Sequence, residues 1–203
     1  MIYKFQNCSN LTSVKFGKGI TSIDKNAFRY SKLINVNIPN SVVSIGEGAF
    51  SYCEHLEAIY FPNNLTCIER NMFWVCGRIA YLTIPRSVTS IKEYALSYCS
   101  SLNGIYCLST TPPTVENTLI YTKDFSGITL YVPAGTVAAY KNAYGWKDFP
   151  RIEEIDPDNI MDPGYLYALL KSGSGSGLKG DVNGDNEVNI SDVSALVNIL
   201  LKK

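Results

Sequence analysis

Ala49-Phe50-Ser51-Tyr52-Cys53-Glu54-His55-Leu56-Glu57-Ala58-Ile59-Tyr60-Phe61-Pro62 is the stretch whose reading decides the fold. An aromatic is followed by a small residue, an aliphatic, an alternating apolar run and a proline. The same order returns along the chain. Phe5, Phe28, Phe50, Phe73 and Leu96 open successive units, at spacings of 23, 22, 23 and 23 residues. After each comes a small residue and then an aliphatic one: Cys8 and Leu11, Ser31 and Leu33, Cys53 and Leu56, Cys76 and Ile79, Cys99 and Leu102. Self-similarity at a period of roughly 20–50 residues marks a stacked-repeat architecture.

Within each unit the next segment alternates: Val14/Phe16, Val36/Ile38, Ile59/Phe61 and Leu82/Ile84 point one way, and the residues between them point the other. A turn follows, Gly17-Lys18-Gly19 in the first unit and Pro39-Asn40, Pro62-Asn63 and Pro85-Arg86 in the next three. A second short strand then ends in Ile23, Ile45, Ile68 or Ile91. One such unit cannot bury its own apolar side. Parallel stacking at about 4.8 Å per strand joins the units into a continuous core. Proline and glycine fall between strands, where they cost no ladder hydrogen bond. The expected fold is therefore α/β to mainly β, with about five units over residues 1–115.

Six cysteines raise the question of disulfides. Cys8, Cys53, Cys76 and Cys99 recur near multiples of the repeat, so they occupy one repeat position rather than forming pairs. A ladder of buried thiols is expected, since an unpaired cysteine packs as a small hydrophobe.

The pattern A-F-x-x-C-x-x-L-x-x-V-x-I-P, carried here by Ala49-Phe50 through Pro62, resembles the BspA-like leucine-rich-repeat family of bacterial surface proteins. The resemblance spans residues 1 to about 155. It implies a right-handed leucine-rich-repeat solenoid, outside the cell, that binds other proteins, host matrix proteins among them, with no catalytic residues.

The period is expected to stop after Thr111-Pro112-Pro113, leaving 116–155 as a C-terminal cap. Ile128–Pro133 reads as a strand. Thr136–Trp146 reads as a helix with Val137, Tyr140 and Tyr144 on one side, and Arg151–Ile155 as a last strand. A solenoid needs such a cap over its final apolar face. Residue 5 already lies inside a repeat, so either the chain is shorter than the natural product or its first repeat self-associates with another copy.

Residues 156–179 change character, with a short helix expected over Pro163–Lys171 and a Ser/Gly linker over 172–177. Beyond it, Asp181, Asn183, Asp185, Asn189 and Asp192 fall at loop positions 1, 3, 5, 9 and 12. Glu187, at position 7, offers its backbone carbonyl. That spacing suits a hard cation with oxygen ligands, and Ca2+ is the expected cofactor. Asn186 takes the place of the usual glycine and tolerates the left-handed conformation. The helix that follows aligns Val193, Leu196, Val197, Leu200 and Leu201. Residues 180–203 resemble one half of a dockerin. That resemblance implies a cohesin-like partner, although dockerins usually carry two such halves.

Other chemistry is not expected. Lysine and arginine number 18, and aspartate and glutamate number 18, so no basic field marks a nucleic-acid partner. No apolar run approaches the roughly 20 residues of a membrane span. Met1-Ile2-Tyr3-Lys4 is not a signal peptide. That leaves a mature or shortened exported chain, which the calcium loop favours, or a cytosolic one. His55 is the single histidine, and its neighbour Cys53 sits at a buried position. Glu153 and Glu154 are adjacent on a strand, hence on opposite faces, and cannot work as a glycosidase pair.

One surface suggests binding. The outward column of the first strand reads Lys15, Asn37, Tyr60, Thr83, Tyr106, and its neighbour column contains Tyr81. Lys15, Asn37, Tyr60, Tyr81 and Tyr106 are the expected partner-binding residues, because tyrosine offers rigid amphipathic contact area. The expected function is a non-enzymatic surface or secreted protein that binds a host matrix or bacterial envelope protein. The second reading is an auxiliary subunit of a polysaccharide-degrading assembly, docked through the tail.

Overall fold

The computed structural model describes residues 5–17, 19–121 and 126–155. The short helix, linker and calcium loop expected beyond 155 lie outside these residues. The described part is a mainly β solenoid. One side of each coil supplies β2 (Asn35–Asn37), β4 (Ala58–Tyr60), β6 (Tyr81–Ile84) and β8 (Gly104–Cys107). A second side supplies β1 (Ser22–Ile23), β3 (Ser44–Ile45), β5 (Cys67–Ile68), β7 (Ser90–Ile91) and β9 (Thr114–Val115). All pairs are parallel, as Ile23 on Ile45, Val36 on Ile59, Leu82 on Ile105 and Ile91 on Val115. The cap consists of β10 (Thr129–Val132), α1 (Val137–Asn142) and β11 (Arg151–Glu154), with the sheet running β11-β10-β8-β6.

The third side of each coil has no strands, yet it forms its own hydrogen-bond ladder. The N–H groups of Phe28, Phe50 and Phe73 donate to the carbonyls of Ala49, Met72 and Ala95 in the next coil, at 2.8, 3.1 and 2.9 Å. Two left-handed residues per coil, four positions apart, make this turn edge. They are Asn26/Tyr30, Gly48/Tyr52, Asn71/Val75 and Tyr94/Tyr98, with φ between +54° and +65°. Glycine and asparagine adopt this conformation at little cost, whereas a β-branched or bulky residue is strained in it.

Inside, the repeat position of Phe50 becomes a column. Phe5, Phe28, Phe50 and Phe73 stack at 5.6, 5.4 and 6.0 Å with nearly parallel rings. Phe28, Phe50 and Phe73 are buried. The thiol ladder is present at Cys53, Cys76 and Cys99, all free and buried. Each sulfhydryl donates to the carbonyl of the preceding coil's phenylalanine: Cys53 to Phe28 at 3.1 Å, Cys76 to Phe50 at 3.1 Å, Cys99 to Phe73 at 3.3 Å. Cys8 departs from the expected ladder and is exposed, because among the described residues no coil lies in front of it to cover the thiol.

Four further expectations need correction. Val14–Phe16 forms no strand. The segment keeps its place through the Ile34 N–H, which donates to the Thr12 carbonyl at 3.2 Å, and its apolar residues are only half-buried. The period does not stop at Pro113. β9 pairs with β7, Leu119 is buried beside Leu96, and the Leu96 N–H reaches the Leu119 carbonyl at 3.2 Å. The stretch Leu108–Pro113 shifts the register and hides this further coil. The helix ends at Asn142 rather than Trp146, since Ala143 is extended and Gly145 is left-handed. Tyr144 is consequently exposed and does not join Tyr140.

The cap seats on the last coil through specific bonds. The Tyr140 hydroxyl donates to the Ser109 carbonyl at 2.7 Å and lies 3.2 Å from the Cys107 sulfur. Trp146 Nε1–H donates to the Pro113 carbonyl at 2.7 Å. A Cβ at Gly145 would come within 2.7 Å of the Val115 side chain, so glycine is needed for the close approach as well as for its φ.

Candidate interaction surface

The strand side carries the columns singled out from sequence. In register across the sheet lie Thr83, Tyr106, Tyr131 and Glu153, and beside them Tyr81, Gly104, Thr129 and Arg151. Asn37 pairs with Tyr60 one step earlier in the stack. Tyr106 and Tyr131 stack at 4.5 Å with planes 13° apart, and Tyr81 leans on Tyr106 at 6.3 Å. Gly104 makes this possible. A Cβ there would lie 2.9 Å from Cδ1 of Tyr81 and 3.1 Å from Cε2 of Tyr131, so the two rings fold over bare backbone.

The expected binding residues are thus placed unequally. Tyr81 stands 42 % exposed, while Tyr60 and Tyr106 are only 4 % and 9 % exposed. Asn37 is half-buried and Lys15 exposed. The expectation that the whole outward column faces solvent is corrected. Strand spacing is short compared with a tyrosine ring, so neighbours along the column cover one another. Tyr131 belongs to the same patch and was missed. Tyr131 comes 25 residues after Tyr106 rather than 22 or 23, so no repeat count leads from one to the other. The Tyr-Val-Pro run of a strand was the available signal.

A second aromatic surface, absent from the sequence reading, lies on the turn edge. Tyr30 and Tyr52 stack at 4.6 Å, and the Arg29 guanidinium sits 4.9 and 5.1 Å from their ring centres. Further along, Trp74, Tyr94, Tyr98 and Tyr121 touch in a closed circuit. Trp74 is 5.8 Å from Tyr94 and 4.8 Å from Tyr98, and Tyr121 is 6.2 and 5.9 Å from the same two rings. The left-handed residues set this arrangement, and a helix or strand period cannot reveal it.

Nucleophilic chemistry finds no support at the cysteines. Burial raises the thiols of Cys53 and Cys107 from 9.0 to about 11 and that of Cys99 to about 12, and it pushes Cys76 well above its ordinary value. At neutral pH they are hydrogen-bonded thiols, not thiolates. His55 is half-buried on its turn. Glu154 accepts a hydrogen bond from the Gly135 N–H at 2.8 Å. Among the described residues, no group of three or more His, Cys, Asp or Glu is placed to hold a metal, and no helix is long and apolar enough to cross a membrane. The candidate ligands Asp181, Asn183, Asp185, Glu187, Asn189 and Asp192 lie outside those residues.

Among the described residues, parallel coils of 22 or 23 residues around a phenylalanine column, with short strands and almost no helix, define a leucine-rich-repeat solenoid. The model of the BspA type leucine-rich repeat region matches residues 2–103 in six copies, and the chain belongs to that family. Three solved structures share the fold. A leucine-rich repeat protein from Bacteroides ovatus has a TM-score of 0.54 and 20 % identity, over 74 % of this chain and 41 % of that one. A leucine-rich cell surface protein from Faecalibacterium prausnitzii has 0.50 and 25 %, over 76 % and 34 %. The pneumococcal vaccine antigen PcpA has 0.56 and 17 %, over 72 % and 42 %. The alignments span less than half the length of each of these chains. No curated protein matches.

Proposed function

We propose that this chain is a non-enzymatic, secreted or cell-surface protein that binds a protein ligand through the strand side of its solenoid. The observation that carries the reading is the ring group Tyr81, Tyr106 and Tyr131, in which Tyr81 and Tyr131 fold over Gly104 and both contact Tyr106. Stacked tyrosines held rigid before binding lose little conformational freedom when a partner arrives. Asn37 and Lys15 extend the face along the axis, with the covered Tyr60 beneath it. Membership of the BspA-type family, and likeness to a cell surface protein of Faecalibacterium, support the surface location. The ligand would be a host matrix or bacterial envelope protein.

The tail is read as a separate module at 180–203, joined through 156–179 to repeats and cap. Asp181, Asn183, Asp185, Asn189 and Asp192 would hold Ca2+, with the Glu187 carbonyl as a further ligand. Their spacing favours a second reading, an auxiliary subunit of a polysaccharide-degrading assembly held by a cohesin-like partner. Self-association through the first repeat would use the exposed ring of Phe5.

A pull-down from envelope extract and from host matrix proteins, in millimolar Ca2+ and again in chelator, separates the readings. Capture unaffected by chelator and lost in Tyr81→Ala places recognition on the strand side. Capture only with Ca2+, lost in Asp181→Ala, favours the docked subunit. Capture that survives both substitutions overturns both.

A further inference from the structure

The four rings on the turn edge combine edge-to-face packing with solvent exposure and left-handed backbone. Adjacent rings are steeply inclined: 86° between Trp74 and Tyr94, 88° between Tyr94 and Tyr121, 56° between Tyr121 and Tyr98, 64° between Tyr98 and Trp74. Among the described residues no ring contact crosses the diagonals of this box. Its outer members are open to solvent, Tyr98 at 45 % and Tyr121 at 57 %. Tyr94 and Tyr98 both sit on left-handed backbone, at φ +59° and +60°. At the position of Tyr94, other coils have Asn26, Asn71 and Asn117, residues that adopt this conformation more cheaply.

The same edge shows what such rings attract. Upstream, Tyr30 and Tyr52 are covered by the protein's own cation, Arg29. Two coils further on, Trp74 stands at the repeat position of Arg29, so the downstream box has gained a ring where the upstream pair has its guanidinium. Ring faces carry negative quadrupole charge, and a cation within about 6 Å of several centroids is held by all of them. The nearby carboxylate of Glu93 is already taken, by Arg70 at 2.6 Å and by the Asn117 amide at 3.1 Å. A primary ammonium is strongly hydrated and would give up part of that water for ring faces, at a cost. A quaternary ammonium has no N–H to satisfy, and its methyl groups gain dispersion against the rings.

We propose that Trp74, Tyr94, Tyr98 and Tyr121 form a shallow receptor for a quaternary ammonium group, between tetramethylammonium and choline in size. The receptor lies on a different edge from the strand-side patch and does not depend on it.

The test is a titration of the full chain with tetramethylammonium and with choline, followed by tryptophan fluorescence and by the aromatic proton resonances of Trp74 and Tyr98. The neutral isostere 3,3-dimethylbutan-1-ol is run beside them. Trp146, fully buried in the cap, supplies a constant background. The expected result is saturable binding of both cations and binding of the alcohol about tenfold weaker or worse, since the alcohol offers the rings the same shape without the charge. Tyr98→Leu and Tyr121→Leu each weaken the cations by about tenfold. Tyr98→Phe preserves binding, and Tyr81→Leu on the strand side leaves it unchanged. A thermal melt identifies any variant that fails to fold, and the other ring variant then decides. An absent or non-saturable response, equal binding of the isostere, or cation binding indifferent to both leucine variants overturns the proposal.

Discussion

The strand side and the turn edge are built from the same repeat, yet they obey different rules. On the strand side, direction alternates every residue, so Val36, Ile59 and Leu82 turn inward while Asn37, Tyr60 and Thr83 turn outward. On the turn edge, direction is set by two left-handed residues per coil, and its tyrosines at 30, 52, 98 and 121 recur with the coil rather than with a strand period. One surface is thus made by extended backbone and the other by residues that L-amino acids rarely supply. The first tolerates many outward side chains, whereas the second holds tyrosine or valine only against a conformational penalty.

The largest expected effect lies where the turn edge meets the core. Phe50→Ala removes the middle of the ring column and leaves a cavity between coils. It should lower stability by about 3–5 kcal/mol, read from urea denaturation. If the loss is near 1 kcal/mol, the coils close up around the gap and the column is not the main tie between them.

Alkaline pH tests the thiol ladder next. Buried thiols have folded pKa values above the ordinary 9.0, so the unfolded chain gives up its protons first. Stability should be constant below pH 9 and fall as pH rises toward about 11 to 12, the folded values of Cys53, Cys107 and Cys99. Melting temperatures across that range check it, and a Cys99→Ala variant should flatten the slope.

Gly104→Ala acts on the strand side alone. The new methyl group meets the rings of Tyr81 and Tyr131, which must swing off the backbone. The expected cost is about 1–2 kcal/mol, together with loss of ligand capture in the pull-down. The smallest effect should have the opposite sign. Val75 is β-branched and left-handed at φ +61°. Val75→Asn should stabilise the fold by roughly 1 kcal/mol, the scale of the penalty for an L-residue in that region. A destabilised variant would mean that the packing of the Val75 side chain outweighs its strain.

The legible part of the molecule follows from this contrast. The phenylalanine column, the inward strand residues and Cys53, Cys76 and Cys99 were readable because burial repeats with the coil. The coil around Leu119 was hidden by the irregular passage through Pro113, although Val115 and Leu119 occupy familiar positions. Exposure of the outward tyrosines could not be read from alternation, which tells side but not crowding. Tyr106 is outward and still covered, because Tyr81 and Tyr131 close over it. The ring box at Trp74 was invisible for a different reason: its members come from three column positions, those of Trp74, of Tyr94, and of Tyr98 with Tyr121, brought together by left-handed turns. In the tail, the six candidate calcium ligands remain a reading of spacing.

The hydrogen bonds between coils join residues of nearly constant separation, such as 22, 25 and 26 positions for Lys25–Glu47, Cys53–Phe28 and Cys76–Phe50. Each new coil therefore closes a loop of the same length onto a surface already formed, and the entropic toll of closure does not climb as the chain grows. Folding of such a molecule is growth on a template. Once one pair of coils has docked, every later coil adds by the same short search, and lengthening the protein by duplication of a coil leaves the speed of each step unchanged.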